Sequence, residues 1–199
     1  NGLEYIELYR TINERHKFFE NSDFQDGSIF YDGQFYDKVP LKYDLNVDEL
    51  LFNVGYNYPY PTLILFKSKV KSFTLGKSDF IQINNIEGET EMVGFYEVLL
   101  NKQPITLLKK NKKKRFKRIK GNTVYYEFDY DNTFYISYKN NFYEIDSKND
   151  IIRVWPERKE YINEYYNSAL RKTNEDNFWT SFFEKLADTF TTEKEGEKL

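Results

Sequence analysis

The sequence predicts a mainly β protein: an antiparallel meander curled into a barrel or half-barrel and finished by C-terminal helices. Three observations carry this expectation. Aromatic residues make up 19% of the 199 residues, with 18 Tyr and 18 Phe, and such side chains fit the half-buried surface of a sheet. Alanine, the best helix former, occurs only at Ala169 and Ala187. From Ser28 to Ile145 short apolar runs alternate with turn signals of about two to five residues, the spacing of strands joined by tight turns.

Taken in order, Ser28–Tyr31 and Gln34–Tyr36 flank Asp32-Gly33, a pair that tolerates the positive φ angles of a type I′ hairpin. Val39, Leu41, Tyr43 and Leu45 then share one face of a strand, and Pro40, which donates no ladder bond, marks that strand as an edge or a bulge. Further strand runs are Asp48–Val54, Thr62–Phe66, Val70–Leu75, Asp79–Ile83, Met92–Leu100, Ile105–Lys109, Thr123–Phe128, Thr133–Tyr138 and Asn141–Ile145. Short loops make neighbours pair antiparallel. About ten strands seldom stay flat, hence the expectation of curling.

The period changes after Ile145. Ser147-Lys148-Asn149-Asp150 has capping-box spacing, and Pro156 suits the first turn of another helix. Thr173-Asn174-Glu175-Asp176 offers a second capping box before the stripe Phe178, Trp179, Phe182, Phe183, Leu186 and Phe190. The polar end, Thr191–Leu199, is expected to fray. The expected division is therefore residues 1–146 as a β body with an irregular N-terminal arm, and 147–199 as a helical segment packed on it with a polar tail.

Composition restricts chemistry. Zero Cys excludes disulfides, thiolate metal sites and cysteine nucleophiles, and a single His, His16, excludes multi-histidine metal sites. No apolar run reaches the ~18 residues of a membrane-spanning helix. His16 sits in a polar stretch without a nucleophile motif, so a surface role is expected. Gly76-Lys77-Ser78 lacks the upstream glycine of a phosphate loop, since Lys71 stands there, and reads as a turn. The acidic clusters Glu87/Glu89/Glu91 and Asp129/Asp131 match no calcium loop. The reading is non-enzymatic, with no metal and no cofactor.

The outstanding local feature is the run from Lys109 to Lys120. Nine of its twelve residues are basic: Lys109, Lys110, Lys112, Lys113, Lys114, Arg115, Lys117, Arg118 and Lys120. The chain's net charge is −3, and without these nine it falls to −12. The run is expected to form a hairpin whose positive field meets a protein partner, an anionic lipid or a lipopolysaccharide surface. Nucleic acid is not expected, because an acidic remainder repels a polyanion. A second candidate contact is aromatic: Tyr56, Tyr58 and Tyr60 in a proline-stiffened loop, with Trp179 and Phe183 on the tail helix.

The block Gly27-Ser28-Ile29-Phe30-Tyr31-Asp32-Gly33-Gln34-Phe35-Tyr36, continuing through Val39-Pro40-Leu41-Lys42-Tyr43-Asp44-Leu45 and Asp48-Glu49-Leu50, resembles a group of uncharacterised secreted proteins common in Bacteroidota. That group shares the core G-x-V-x-Y-x-G-x-x-Y-x-x-V-x-L-x-Y-D-L-x-x-D-x-L. Phe73-Thr74-Leu75, Gly94-Phe95-Tyr96 and Ser147-Lys148 extend the likeness; the tail departs from the group's usual basic end. The resemblance implies signal-peptide removal and a periplasmic or outer-membrane-associated location. It supplies no activity and no catalytic residue. The expected function is a structural or interaction subunit of an envelope protein assembly; the alternative is a carrier of a lipophilic ligand or glycan inside a half-open barrel.

Overall fold

The computed structural model describes residues 2–53, 61–86 and 90–196, with side chains described as far as Phe190. Thirteen strands are present among the described residues. They are β1 (Gly2–Glu4), β2 (Gln25–Tyr31), β3 (Gln34–Asp44), β4 (Glu49–Asn53), β5 (Thr62–Leu65), β6 (Val70–Leu75) and β7 (Ser78–Asn85), then β8 (Met92–Lys102), β9 (Ile105–Lys110), β10 (Lys113–Lys120), β11 (Thr123–Tyr130), β12 (Thr133–Tyr138) and β13 (Asn141–Ile145). Helices follow: α1 (Lys148–Val154), α2 (Lys159–Tyr165), α3 (Ser168–Thr173) and α4 (Glu175–Gly196). The protein is mainly β and antiparallel with C-terminal helices, as expected.

The sheet does not close into a barrel. Its order is β1-β5-β4-β3-β2-β6-β7-β8-β9-β12-β13, and the two ends do not meet. Nor is the order a simple meander: β2 lies between β3 and β6, and β1 joins beyond β5. β10 and β11 leave the sheet as a separate two-stranded ribbon, and β9 pairs directly with β12. The base of that ribbon is pinched by Asp131 N–H donating to the Lys112 carbonyl at 2.8 Å and Lys112 N–H donating to Asn132 Oδ1 at 3.1 Å.

The chain divides into two compact units, one of residues 1–84, 93–97 and 111–132, the other of 85–92, 98–110 and 133–199. The division interleaves and does not follow residue 146. In the first unit, Leu41, Tyr43 and Leu45 are buried as their alternation predicts. Tyr43, Phe73, Phe80 and Phe95 pack ring against ring, Phe73 on Phe80 at 4.6 Å and the others edge-on. Pro40 sits opposite Asp26 of β2 but beyond the β4 ladder, which begins at Leu41, so that side of the strand asks no bond of it. The bulge lies just before it, where the β2–β3 register slips between Gly27 and Ile29 and Lys38 takes φ +54°. The Asp32-Gly33 turn has φ +51° and +83°, both positive as a type I′ turn requires.

In the second unit, β9 and β12 present Ile105, Leu107, Phe134 and Ile136 to Ile151, Trp155, Trp179, Phe183 and Leu186 from the helices. α1 starts on the expected capping box, with Ser147 accepting from Asp150 N–H while the Asp150 carboxylate reaches back. The second box is displaced by one residue. Thr173 closes α3 and donates to the Ala169 carbonyl, while Asn174 Oδ1 caps α4 by accepting from Asn177 N–H at 3.0 Å.

Candidate functional site

The basic run is divided by the fold rather than displayed as one patch. Lys109 and Lys110 end β9, in the second unit. Lys109 is buried, and its Nζ lies 2.6 Å from Asp176 Oδ2 in the first turn of α4. Lys113, only 4% exposed, is an internal anchor whose Nζ donates to the carbonyls of His16 and Phe18 at 2.8 and 2.9 Å. Its ammonium also faces the Tyr130 ring at 4.4 Å. Burial pushes its pKa down to about 8.

The remaining basic residues line the ribbon and its base. Lys114 pairs with Asp131 at 2.9 Å, and Arg118 Nε donates to Glu127 Oε2 at 2.9 Å. Arg115 lies over the Tyr9 ring at 3.9 Å and approaches Tyr126 at 5.5 Å. Lys112, Lys117 and Lys120 are exposed. Between them stand apolar side chains that the ribbon also exposes: Phe116, Val124 and Ile119, the last 70% exposed. In the turn Gly121-Asn122, Gly121 takes φ +59°, and a methyl group added to it would meet nothing within 4 Å, so this turn caps an open tip.

The N-terminal arm covers one side of this ribbon. Arg15 forks onto Asp129 and donates to Glu127, whose carboxylate also accepts from Asn13. Hydrogen bonds from Arg118 and Asn13 hold the Glu127 carboxyl below its ordinary range, and those from Arg15 do the same for Asp129. Tyr9 meets Tyr126 edge-on at 5.0 Å. Main-chain bonds complete the attachment: Tyr126 N–H donates to the Arg10 carbonyl at 2.9 Å and Phe128 N–H to the Arg15 carbonyl at 3.0 Å. Asp129 and Asp131 are thus ion-pair partners of the ribbon and arm.

The opposite edge, along β10, differs. Lys113 N–H donates to the Leu45 carbonyl at 3.2 Å, and its own carbonyl accepts from Asn46 Nδ2 at 2.9 Å. Both groups point away from β11. Because N–H and C=O directions alternate along an antiparallel strand, Arg115, Lys117 and Ile119 also direct theirs away from β11. The register agrees: Arg115 and Lys117 lie opposite Phe128 and Tyr126, whose N–H groups point outward to the arm. Among the described residues, no main-chain partner meets Arg115, Lys117 or Ile119 on that edge. Neither this edge nor the covering arm is evident from the sequence; the one available signal was Gly121-Asn122 separating two runs of equal length.

Tyr56, Tyr58 and Tyr60 lie outside the described residues. Trp179 and Phe183 do not form a contact surface, because both are fully buried in the second unit's core. Their stripe is answered by β9 and β12 of the same chain. Tyr43, Phe73, Phe80 and Phe95 of the first unit are likewise committed to one another in ring contacts. Cavities of about 280 Å³ and 290 Å³ occur at the surface, the first beside Tyr165, Leu170 and Phe182, the second beside Tyr5, Tyr9 and Glu49. Lys17 occupies the latter's wall, bonded to Glu7 at 2.8 Å and 3.2 Å from Asp44.

Gly76-Lys77-Ser78 is the β6–β7 turn, with Ser78 donating to Glu97 at 2.6 Å. His16 is half-buried, and its Nδ1 accepts from Phe18 N–H at 3.2 Å. Burial, then the Lys113 charge, hold its pKa below the ordinary value. No group of three or more His, Asp or Glu able to hold a metal occurs among the described residues; Glu87 and Glu89 lie outside them. No helix is long and apolar enough to cross a membrane among those residues. The chain matches no family model, no curated protein and no solved structure.

Proposed function

We propose that the chain is a non-enzymatic interaction subunit of a cell-envelope protein assembly, periplasmic or outer-membrane-associated, and that it docks through the β10–β11 ribbon. One observation carries the reading. The ribbon forms a two-stranded sheet of its own and exposes Lys117 and Lys120 beside Phe116, Ile119 and Val124, while Lys113 and the Arg15 network fix its base and flank. Apolar side chains ringed by cations suit a protein surface with acidic rims, where apolar contact supplies affinity and charge supplies orientation. The envelope location rests on the resemblance of the Gly27–Leu50 block.

The test is site-specific photocrosslinking in cells that make the protein. A photoreactive residue at position 117 is expected to capture one discrete partner, and one at Lys77, on the exposed β6–β7 turn, is not. Lys120→Glu in the same chain should suppress the capture. Recovery of the protein only as an uncrosslinked monomer from position 117 would overturn the proposal.

A further inference from the structure

We propose that the outer edge of β10 is a strand-addition site, which takes an extended acidic segment of the partner protein. This rests on the ribbon being the docking element and specifies how it docks.

The two edges of the ribbon are treated differently by the same chain. On β11, Tyr126 and Phe128 point their N–H groups outward, and the arm meets both through the Arg10 and Arg15 carbonyls. On β10 the first outward position, Lys113, is met by Leu45 and Asn46. The next three, Arg115, Lys117 and Ile119, have no such partner among the described residues. The edge therefore carries one main-chain bond, from Lys113 N–H to the Leu45 carbonyl, and then continues open for five residues, about 17 Å at ~3.4 Å per residue. A segment lying there would meet the three outward N–H and C=O pairs that follow.

Charge selects the occupant. An added strand would run beside Lys117 and Ile119 on one face and Lys114, Phe116, Arg118 and Lys120 on the other, following the alternation of β10. Lysines on a free edge discourage pairing with neutral or basic strands, but they favour one bearing Asp or Glu. A second copy of this chain is disfavoured, since β10 against β10 sets like charges opposite each other. Main-chain bonds would give affinity and the flanking cations specificity, as in other strand-addition complexes.

The probe is an acetylated, amidated (Thr-Glu)4 peptide, its copy with every amide N-methylated, and (Thr-Lys)4, with binding read by fluorescence anisotropy. The first peptide should bind, and (Thr-Lys)4 should not. N-methylation should weaken binding at least about tenfold, since it removes several main-chain donors while leaving the charge. Lys117→Pro removes an outward N–H at an edge position where proline is tolerated, and should reproduce the loss; Lys117→Gln, which keeps the N–H, should lose less. Equal binding of the N-methylated peptide would overturn strand addition while leaving the docking role intact if position 117 still crosslinks to a partner. Failure of every peptide to bind would overturn it too. So would dimerisation in sedimentation velocity, or co-sedimentation with phosphatidylglycerol vesicles that Lys117→Pro leaves unchanged.

Discussion

Lys113→Met isolates the anchor that joins the ribbon to the rest of the first unit. The substitution keeps the side chain's length and removes two N–H···O bonds, to the His16 and Phe18 carbonyls. Bonds from a charged donor contribute about 1.5–3 kcal/mol each, and the methionine leaves both carbonyls without that donor. Against this, the wild-type protein bears the cost of burying an ammonium. The displacement of its pKa from 10.5 to about 8 sets that cost near 3 kcal/mol, at ~1.4 kcal/mol per pH unit. The net loss at pH 7 is therefore small, about 1–2 kcal/mol.

The pH dependence is more diagnostic than the loss itself. Above pH 8 the folded protein releases a proton that the unfolded chain keeps until about pH 10.5. The unfolded state then binds more protons, so this group's contribution to stability rises with pH through that window. The variant lacks the group and lacks the rise. Urea unfolding of both proteins at pH 7, 8, 9 and 10 should show their stability difference widening above pH 8, by up to about 3 kcal/mol at full deprotonation. A difference that stays constant from pH 7 to 10 would refute the buried-ammonium account. His16 supplies a second readout: without the Lys113 charge its pKa should move upward by NMR, remaining below its ordinary value because burial persists.

Trp179→Ala should destabilise the protein by about 3–5 kcal/mol in urea unfolding, because the indole is fully buried among Phe134, Tyr166 and Phe183; a loss below about 1 kcal/mol would restore Trp179 as a surface residue. Gly27→Ala should lower stability by about 1–3 kcal/mol, since its methyl would fall on the Thr74 carbonyl and crowd Leu41, and an unchanged unfolding midpoint would contradict that close approach. Ser147→Ala should cost about 1 kcal/mol by opening the capping box with Asp150, and circular dichroism melting compares the two proteins.

Local chemistry was readable where neighbours in sequence decide it. Asp32-Gly33 supplied its own positive φ angles, and Ser147 with Asp150 closed their own cap. The β10 strand was obscured because nine cations in twelve residues mask any apolar period; its two faces emerge only when β11 is set beside it. The site was harder still to read, since what happens to each cation depends on distant residues. Lys113 is met by carbonyls 95 and 97 positions away, and Arg15 reaches carboxylates 112 and 114 positions away. The apolar stripe holding Trp179 and Phe183 was evident, but its partner, the inner face of β9 and β12, is set by a strand order that skips β10 and β11. The same skipped pair forms the ribbon, so the feature that spoiled the meander also made the candidate site.

Amide hydrogen exchange by NMR reads each edge of the ribbon residue by residue. In the free protein, Tyr126 and Phe128 should exchange slowly under the arm, while Arg115, Lys117 and Ile119 exchange fast. Adding the (Thr-Glu)4 peptide should slow those three amides and leave Tyr126 and Phe128 unchanged. Slow exchange at Arg115, Lys117 and Ile119 in the free protein, or no slowing with the peptide bound, would contradict an open edge that accepts a strand.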